Sequence, residues 1–291
     1  MLQGTYVALI TPFKNGSIDW TALENLIQFH LDNGTTGIVL LGTTAETSAL
    51  ASDEKDALLR FALKKIAGKL PVIIGTGTNN LHQTLASTQK AKELGADYAL
   101  IITPYYIKPT QKGMLEYFGT IASKVDIPII IYNVPGRTGV NMSAATTVEL
   151  ARNYPNIAGL KDASANLVQT TQIIRDAPED FFVLSGEDAL NFPIIAIGGK
   201  GTISVTANVA PRLVSEHIAT CLKGDLNTAA KQHQYLAHLN EMMFIETNPI
   251  PAKEALAMMG KINIEFRSPM CPLLDNNRAL LKQCLQDYKL I

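Results

Sequence analysis

A single lysine follows an apolar run that is typical of a buried strand. In the stretch "NIAGLKDAS", residues 157–160 are small or apolar, and Lys161 and Asp162 come directly after them. Lysine is rarely buried without a partner, so a solvated strand end with a local ion pair is the simpler interpretation. The alternative is a desolvated amine, because burial lowers the pKa of lysine and the neutral amine attacks a ketone to form an iminium.

Tyrosines, threonines and an arginine follow other apolar runs in the same way. Tyrosine and threonine hydroxyls near a reactive amine can relay protons. Taken singly, each tyrosine has a packing interpretation and the threonines could simply form a turn. Together they favour a catalytic site around Lys161. They are Thr43 and Thr44 in "LGTTAETS", Tyr105 and Tyr106 in "TPYY", and Tyr132 and Arg137 in "YNVPGRTG".

The sequence has no pattern typical of a metal site. Its five histidines lie in helical patterns rather than at strand ends, and there is no HExxH motif or carboxylate cluster. Three widely spaced cysteines argue against both a disulfide framework and a zinc site. We therefore expect covalent amine catalysis with no bound cofactor.

The strand candidates alternate with longer helical patterns. Such alternation predicts a parallel sheet that right-handed crossovers can close into a (β/α)8 TIM barrel over residues 1–223, with its chemistry at the carboxyl ends of the strands. After residue 223 only helical patterns remain, so residues 224–291 are predicted to form a C-terminal helical extension. The strand candidates are 6–10, 37–41, 72–75, 98–102, 129–132, 157–160, 182–184 and 201–204.

A doubly wound open sheet is the main structural competitor. It usually carries a glycine fingerprint after its first strand. The nearest candidate here, "GTGTNN" at 75–80, follows the third strand and lacks the last glycine. Dinucleotide binding is therefore disfavoured.

Composition restricts the classes of partner. The chain has a formal net charge of -1, 47% hydrophobic residues and no basic stripe, which disfavours nucleic-acid binding. No apolar run approaches the length of a membrane span, and the N-terminal apolar run lacks a preceding basic segment. A cytoplasmic location is the expectation.

Five motifs occur in an order and spacing that resemble one enzyme superfamily. They are "GTTAETS", "TPYY", "YNVPGRTG", "GLKD" and "GTISVTAN". Over essentially the whole chain they resemble the dihydrodipicolinate synthase and N-acetylneuraminate lyase superfamily, and within it the dihydrodipicolinate synthases. The resemblance implies a homotetramer of tight dimers that condenses pyruvate with aspartate semialdehyde in the diaminopimelate route to lysine.

The resemblance also assigns roles by position. Lys161 would hold pyruvate as a Schiff base, and Thr43 and Thr44 would grip the pyruvate carboxylate. Tyr132, Thr43 and Tyr106 resemble the family's proton relay, in which Tyr106 comes from a neighbouring subunit. Gly186 and Ile203 match positions that line the pocket.

Arg137 matches the arginine that binds the carboxylate of the semialdehyde. Sialic-acid lyases and keto-deoxy-sugar aldolases resemble the same pattern without this arginine, since their second substrate is a polyol aldehyde. A sugar-type lyase is therefore the alternative within the superfamily. A non-catalytic α/β protein that binds small acids is the alternative from another class, but it would not need Lys161.

The chain departs from the family pattern in two respects, the threonine turn and the lysine site. Ala45 replaces a glycine, so either the backbone there does not need a positive φ or the loop is strained. Lysine-sensitive members bind lysine near Asn79 and Tyr105, and they have a histidine at the position of Lys55 and a glutamate at that of Gln83. An added cation and a lost carboxylate both oppose binding of cationic lysine, so weak or absent inhibition is expected.

Overall fold

The computed structural model describes residues Met1–Ile291, and eight of its strands form a closed parallel barrel. Around the barrel the order is β1-β10-β9-β8-β7-β6-β5-β4, while β2 and β3 pair as a separate antiparallel hairpin. The predicted fold class is therefore confirmed. The strands are β1 Gly4–Ala8, β2 Phe13–Lys14, β3 Ser17–Ile18, β4 Gly37–Leu40, β5 Val72–Gly75, β6 Tyr98–Ile102, β7 Ile129–Asn133, β8 Ile157–Asp162, β9 Phe182–Ser185 and β10 Gly201–Ser204.

Helices follow most barrel strands, and further helices fill the C-terminal part of the chain. Several begin at a side-chain cap; Asp19, for example, accepts from the backbone N–H of Ala22. The helices are α1 Trp20–Asp32, α2 Ser52–Ile66, α3 Leu81–Glu93, α4 Gln111–Lys124, α5 Pro135–Thr138, α6 Ala144–Asn153, α7 Leu167–Asp176, α8 Asn191–Ala196, α9 Pro211–Leu222, α10 Leu226–Met242, α11 Ile250–Met258 and α12 Asp275–Asp287.

The predicted strands agree with the observed ones to within two residues at every end. Two strands differ by two residues: β1 begins and ends earlier than predicted, and β8 continues through Lys161 and Asp162 instead of ending before them. The hairpin of β2 and β3 was not predicted, because strands of two residues each are too short to show an alternating pattern.

Packing divides the chain into two compact units. One consists of Met1–Gly4 and Val72–Ile203, and the other of Thr5–Pro71 and Ser204–Ile291. The predicted division at residues 223 and 224 stays a prediction. No helix is both long enough and apolar enough to cross a membrane.

In the first unit the strands β6 to β9 pair in parallel around a continuous apolar core. Ile131 and Leu160 are cross-strand partners and both are fully buried. Gly159 is needed at its position in β8, since a Cβ there would lie 2.4 Å from the ring of Phe182. This close packing fixes the strand that carries Lys161.

Candidate active site

Lys161 is a buried lysine at the carboxyl end of β8. Its exposed fraction is 6%. Its cross-strand partner in β7 is Tyr132, and the Nζ atom lies 4.1 Å from the centroid of the Tyr132 ring. The two predicted catalytic residues are therefore in contact.

The neighbouring acid is not the partner of this amine. Asp162 is buried, and its carboxylate accepts hydrogen bonds from the backbone N–H of Ser164 at 2.9 Å and from the Thr170 hydroxyl at 2.5 Å. A solvated strand end with an ion pair between adjacent residues is thus not what the structure contains. Asp162 instead caps the loop that follows the strand.

Burial changes the acid–base behaviour of Lys161. Desolvation lowers the pKa of its amine to about 8, with Asp188 opposing the shift, Arg137 adding to it and Glu187 opposing it. A pKa of about 8 leaves roughly a tenth of the amine neutral at pH 7, against under about one part in a thousand for an ordinary lysine. The residue is therefore suited to act as a nucleophile near neutral pH.

Two acidic residues follow β9 close to this amine. Burial, and then the charge of Asp188, raise the pKa of Glu187. Asp188 is buried and accepts a hydrogen bond from the Asn191 side chain at 3.2 Å. These carboxylates lie in the stretch "SGED" at 185–188. The sequence assigned them no role, since their approach to Lys161 depends on the pairing of β8 with β9.

Gly186 lies against the side chain of the lysine. A Cβ at this position would meet the Cε and Cγ atoms of Lys161 at 3.0 Å. A larger residue at position 186 would therefore crowd the side chain of Lys161. Ile203 is fully buried in β10.

Arg137 lies on a short helix directly after β7. Its backbone N–H donates to the carbonyl of Val134, and the buried side chain of Asn133 holds the following segment by accepting from the N–H of Met142 at 3.1 Å. The Arg137 side chain is exposed, yet its charge acts on the pKa of Lys161.

Thr43 and Thr44 belong to the second compact unit, where they follow β4 in a 3-10 turn. Thr43 is exposed and Thr44 is buried. Ala45 is buried and does not have a positive φ; Glu46 instead takes the left-handed conformation, with φ of 52°. The alanine therefore replaces the family's glycine without strain at its own position.

Tyr106 lies in an exposed loop after β6. Its side chain is 86% exposed, and its φ of 72° is unusual for a non-glycine residue. Within one chain it is not part of the buried cluster around Lys161.

The residues of the predicted lysine site are partly brought together. The Asn79 amide donates to the carbonyl of Tyr105 at 3.3 Å, and Gln83 is exposed in the first turn of α3. Lys55 lies on α2 in the other unit and is half-buried.

Comparison with known proteins decides the family. The model of the dihydrodipicolinate synthetase family matches residues 1–288. The chain belongs to this family.

Individual relatives agree with this assignment. The 4-hydroxy-tetrahydrodipicolinate synthase of Aquifex aeolicus is 48% identical over 290 residues, which cover 100% of this chain and 99% of the relative. The crystal structure of dihydrodipicolinate synthase from Aquifex aeolicus has a TM-score of 0.98 and 47% identity over 99% of both chains. A chloride-inhibited synthase from Acinetobacter baumannii has a TM-score of 0.97 and 40% identity over 100% of both chains. Like these relatives, the chain is an enzyme of the lyase class.

Sequence reasoning missed a set of buried polar residues that contact the threonine turn of this dihydrodipicolinate synthetase family member. One signal was present, since Lys253 and Glu254 interrupt the otherwise apolar stretch "IPAKEAL". Its partner could not be read from the sequence, because that partner is Glu46, far away along the chain.

Proposed function

We propose that the protein condenses pyruvate with L-aspartate 4-semialdehyde to give 4-hydroxy-tetrahydrodipicolinate. The observation that carries this proposal is the buried amine of Lys161, whose pKa is lowered to about 8 and which contacts Tyr132. Membership of the family supports the choice of reaction. The Acinetobacter baumannii relative was crystallised in complex with pyruvate, which supports the choice of first substrate.

The chemistry needs no group beyond the chain and its substrates. The Lys161 amine attacks the ketone carbon of pyruvate, and loss of water gives an iminium. Loss of a methyl proton then forms an enamine, whose carbon attacks the aldehyde of the semialdehyde and makes the new C–C bond. The substrate amino group finally displaces the lysine and closes the ring.

The predicted tyrosine, threonine and arginine side chains have proposed parts in this reaction. Tyr132, Thr43 and Tyr106 relay the protons. Thr43 and Thr44 bind the pyruvate carboxylate, and Arg137 binds the carboxylate of the semialdehyde through its planar fork. This use of Arg137 favours a small acidic aldehyde over the polyol aldehyde of a sugar-type lyase.

The exposed loop after β6 supports the proposal of an oligomer. Tyr105, Tyr106 and Ile107 expose aromatic or aliphatic side chains in succession. A neighbouring subunit that covers them would bring Tyr106 to the partner's site. We propose a homotetramer built from two such dimers, located in the cytoplasm and acting in lysine and diaminopimelate biosynthesis.

We further propose that lysine inhibits this enzyme weakly or not at all. Asn79 and Tyr105 are joined by a hydrogen bond from the Asn79 amide to the Tyr105 carbonyl. Gln83 lacks the carboxylate that a glutamate would offer to a cationic ligand, and Lys55 adds a cation where sensitive members have a histidine. Both changes oppose binding of lysine.

Borohydride reduction in the presence of pyruvate tests the proposed function. A reduced pyruvyl adduct is expected on Lys161 and not on Lys253, a second buried lysine that provides an internal control. Folded protein that carries no adduct on Lys161 would contradict the proposal. A second assay offers enzyme that has not been treated with borohydride pyruvate together with either aspartate semialdehyde or N-acetylmannosamine, and turnover of the amino sugar alone would instead support the sugar-type lyase.

A further inference from the structure

The turn that carries the two threonines is bounded by two left-handed residues. Leu41 precedes it with φ of 54°, and Glu46 follows it with φ of 52°. Residues with a Cβ persist in this conformation only where their surroundings fix it. The contacts made by Glu46 show which part of the chain fixes the turn.

Both carboxylate oxygens of Glu46 are bound by the C-terminal part of the second unit. Oε1 accepts from the Lys253 ammonium at 2.5 Å, and Oε2 accepts from the backbone N–H of Arg267 at 3.1 Å. Lys253 is completely buried, with Nζ 4.3 Å from the centroid of the Phe13 ring. A buried pair of this kind is costly to break, because either charge alone would be left without a partner.

A contact with Asn248 determines the direction in which the Thr44 hydroxyl hydrogen points. The Asn248 amide nitrogen donates to Thr44 Oγ1 at 3.0 Å, and both side chains are buried. An amide nitrogen donates and does not accept, so the threonine oxygen is the acceptor. The hydroxyl hydrogen of Thr44 therefore points away from Asn248 and is presented as a donor.

We propose that Asn248 and Lys253 are positioning residues that hold the threonine turn with the Thr44 hydroxyl set to donate to the carboxylate of pyruvate. This inference rests on the proposed function. Asn248 acts through Thr44 and Lys253 acts through Glu46, and neither residue is a catalytic one. Together they give the segment that follows the barrel a part in binding the first substrate.

The Asn248→Leu variant tests the first contact with little change in side-chain size. The measurement is the pyruvate concentration that gives half-maximal borohydride trapping on Lys161. We expect it to rise about tenfold, because the Thr44 hydroxyl is no longer oriented and a hydrogen bond to a charged group is weakened. In a Thr44→Val background the same substitution should have no further effect, since the two residues act as one unit.

A double variant, Glu46→Gln with Lys253→Met, tests the buried pair without leaving one charge alone. We expect it to raise the same half-saturating concentration while trapping at saturating pyruvate still reaches completion. The exposed pair of Lys65 and Glu24, in the same unit, provides the control. Lys65→Met with Glu24→Gln should leave the concentration unchanged.

The outcomes separate this inference from the proposed function. If the wild-type protein is not trapped at all, both fail. If it is trapped, but Asn248→Leu leaves the half-saturating concentration unchanged or adds fully to Thr44→Val, the inference alone fails. A double variant whose melting temperature falls while its half-saturating concentration stays constant likewise assigns the pair to stability and overturns its positioning role.

Discussion

The ammonium of Lys161 and the ring of Tyr132 face each other across two adjacent barrel strands, with Nζ 4.1 Å from the ring centroid. An aromatic face stabilises the charged form of an amine, whereas burial destabilises it. Burial is the largest of the influences that lower the pKa of Lys161 to about 8.

The rate of Schiff-base formation should rise with pH and level off above about 8, because only the neutral amine of Lys161 attacks pyruvate. Asp188 raises the pKa of Lys161, so Asp188→Asn should move the rising limb to lower pH by up to about one unit. Arg137 lowers the same pKa, so Arg137→Leu should move the limb to higher pH. The measurement is the pH profile of the trapping rate.

The control for these profiles is Asp176→Asn. Asp176 is paired with Arg175 on the surface and is not among the groups that act on Lys161. Its substitution should leave the limb in place. Shifts of the same sign in Asp188→Asn and Arg137→Leu would contradict the electrostatic explanation.

Gly186→Ala should slow trapping on Lys161 by about tenfold, since misplacement of a reacting group by a fraction of an ångström is costly. The added methyl group would lie 3.0 Å from two carbons of the lysine side chain, which must then move. Gly136→Ala is the matched control, because a Cβ there has open space around it. Equal trapping rates in the two variants would show that Lys161 tolerates the crowding.

The sequence predicted the barrel and Lys161 because both depend on local pattern. Eight apolar runs alternating with helical periodicity determine the barrel, and a polar residue at a strand end is visible within a few positions. The charged neighbours of Lys161 could not be predicted from the sequence, since Glu187 and Asp188 approach it only through strand pairing. The pairing of Glu46 with Lys253 could not be predicted either, because it joins residues more than two hundred positions apart.

Tyr106 is exposed within one chain, so a catalytic role requires that it act in the site of a partner subunit. Homomers of Tyr106→Phe and of Lys161→Ala should each be almost inactive. Heterodimers purified from co-expression with two affinity tags should recover about half of the wild-type activity, because one of two sites regains both residues. Inactive heterodimers, with both chains present in equal amounts, would place Tyr106 outside the partner's site.

Lysine at millimolar concentration should leave most of the activity of the wild-type enzyme. Adding Gln83→Glu and Lys55→His should lower the half-inhibitory concentration by about tenfold or more, because a carboxylate replaces a neutral group and a permanent cation is removed. Gln89→Glu, on the same helix, serves as the control for added charge. Strong inhibition of the wild-type enzyme at sub-millimolar lysine would refute the prediction.

Low pH should weaken the ion pair between Glu54 and Arg267. Two hydrogen bonds from the guanidinium, at 2.5 and 2.6 Å, lower the pKa of Glu54 to about 2 from an ordinary value of 4.5. A carboxyl group whose pKa is lower in the folded state contributes its full stability above the unfolded pKa and loses it as the pH falls towards the folded value. The stability difference between wild type and Glu54→Gln should therefore be constant above about pH 5 and should close between pH 4.5 and about 2.

Urea unfolding of both proteins at a series of pH values measures this difference, in which the other acidic groups cancel. Glu116→Gln, at an exposed position, should show no such window. The backbone N–H of Arg267 also donates to Glu46. Loss of the ion pair between Glu54 and Arg267 should therefore disturb the threonine turn. The half-saturating pyruvate concentration of Glu54→Gln should then exceed that of wild type even at neutral pH. Identical values would show that the contact of Arg267 with Glu46 does not depend on its ion pair with Glu54.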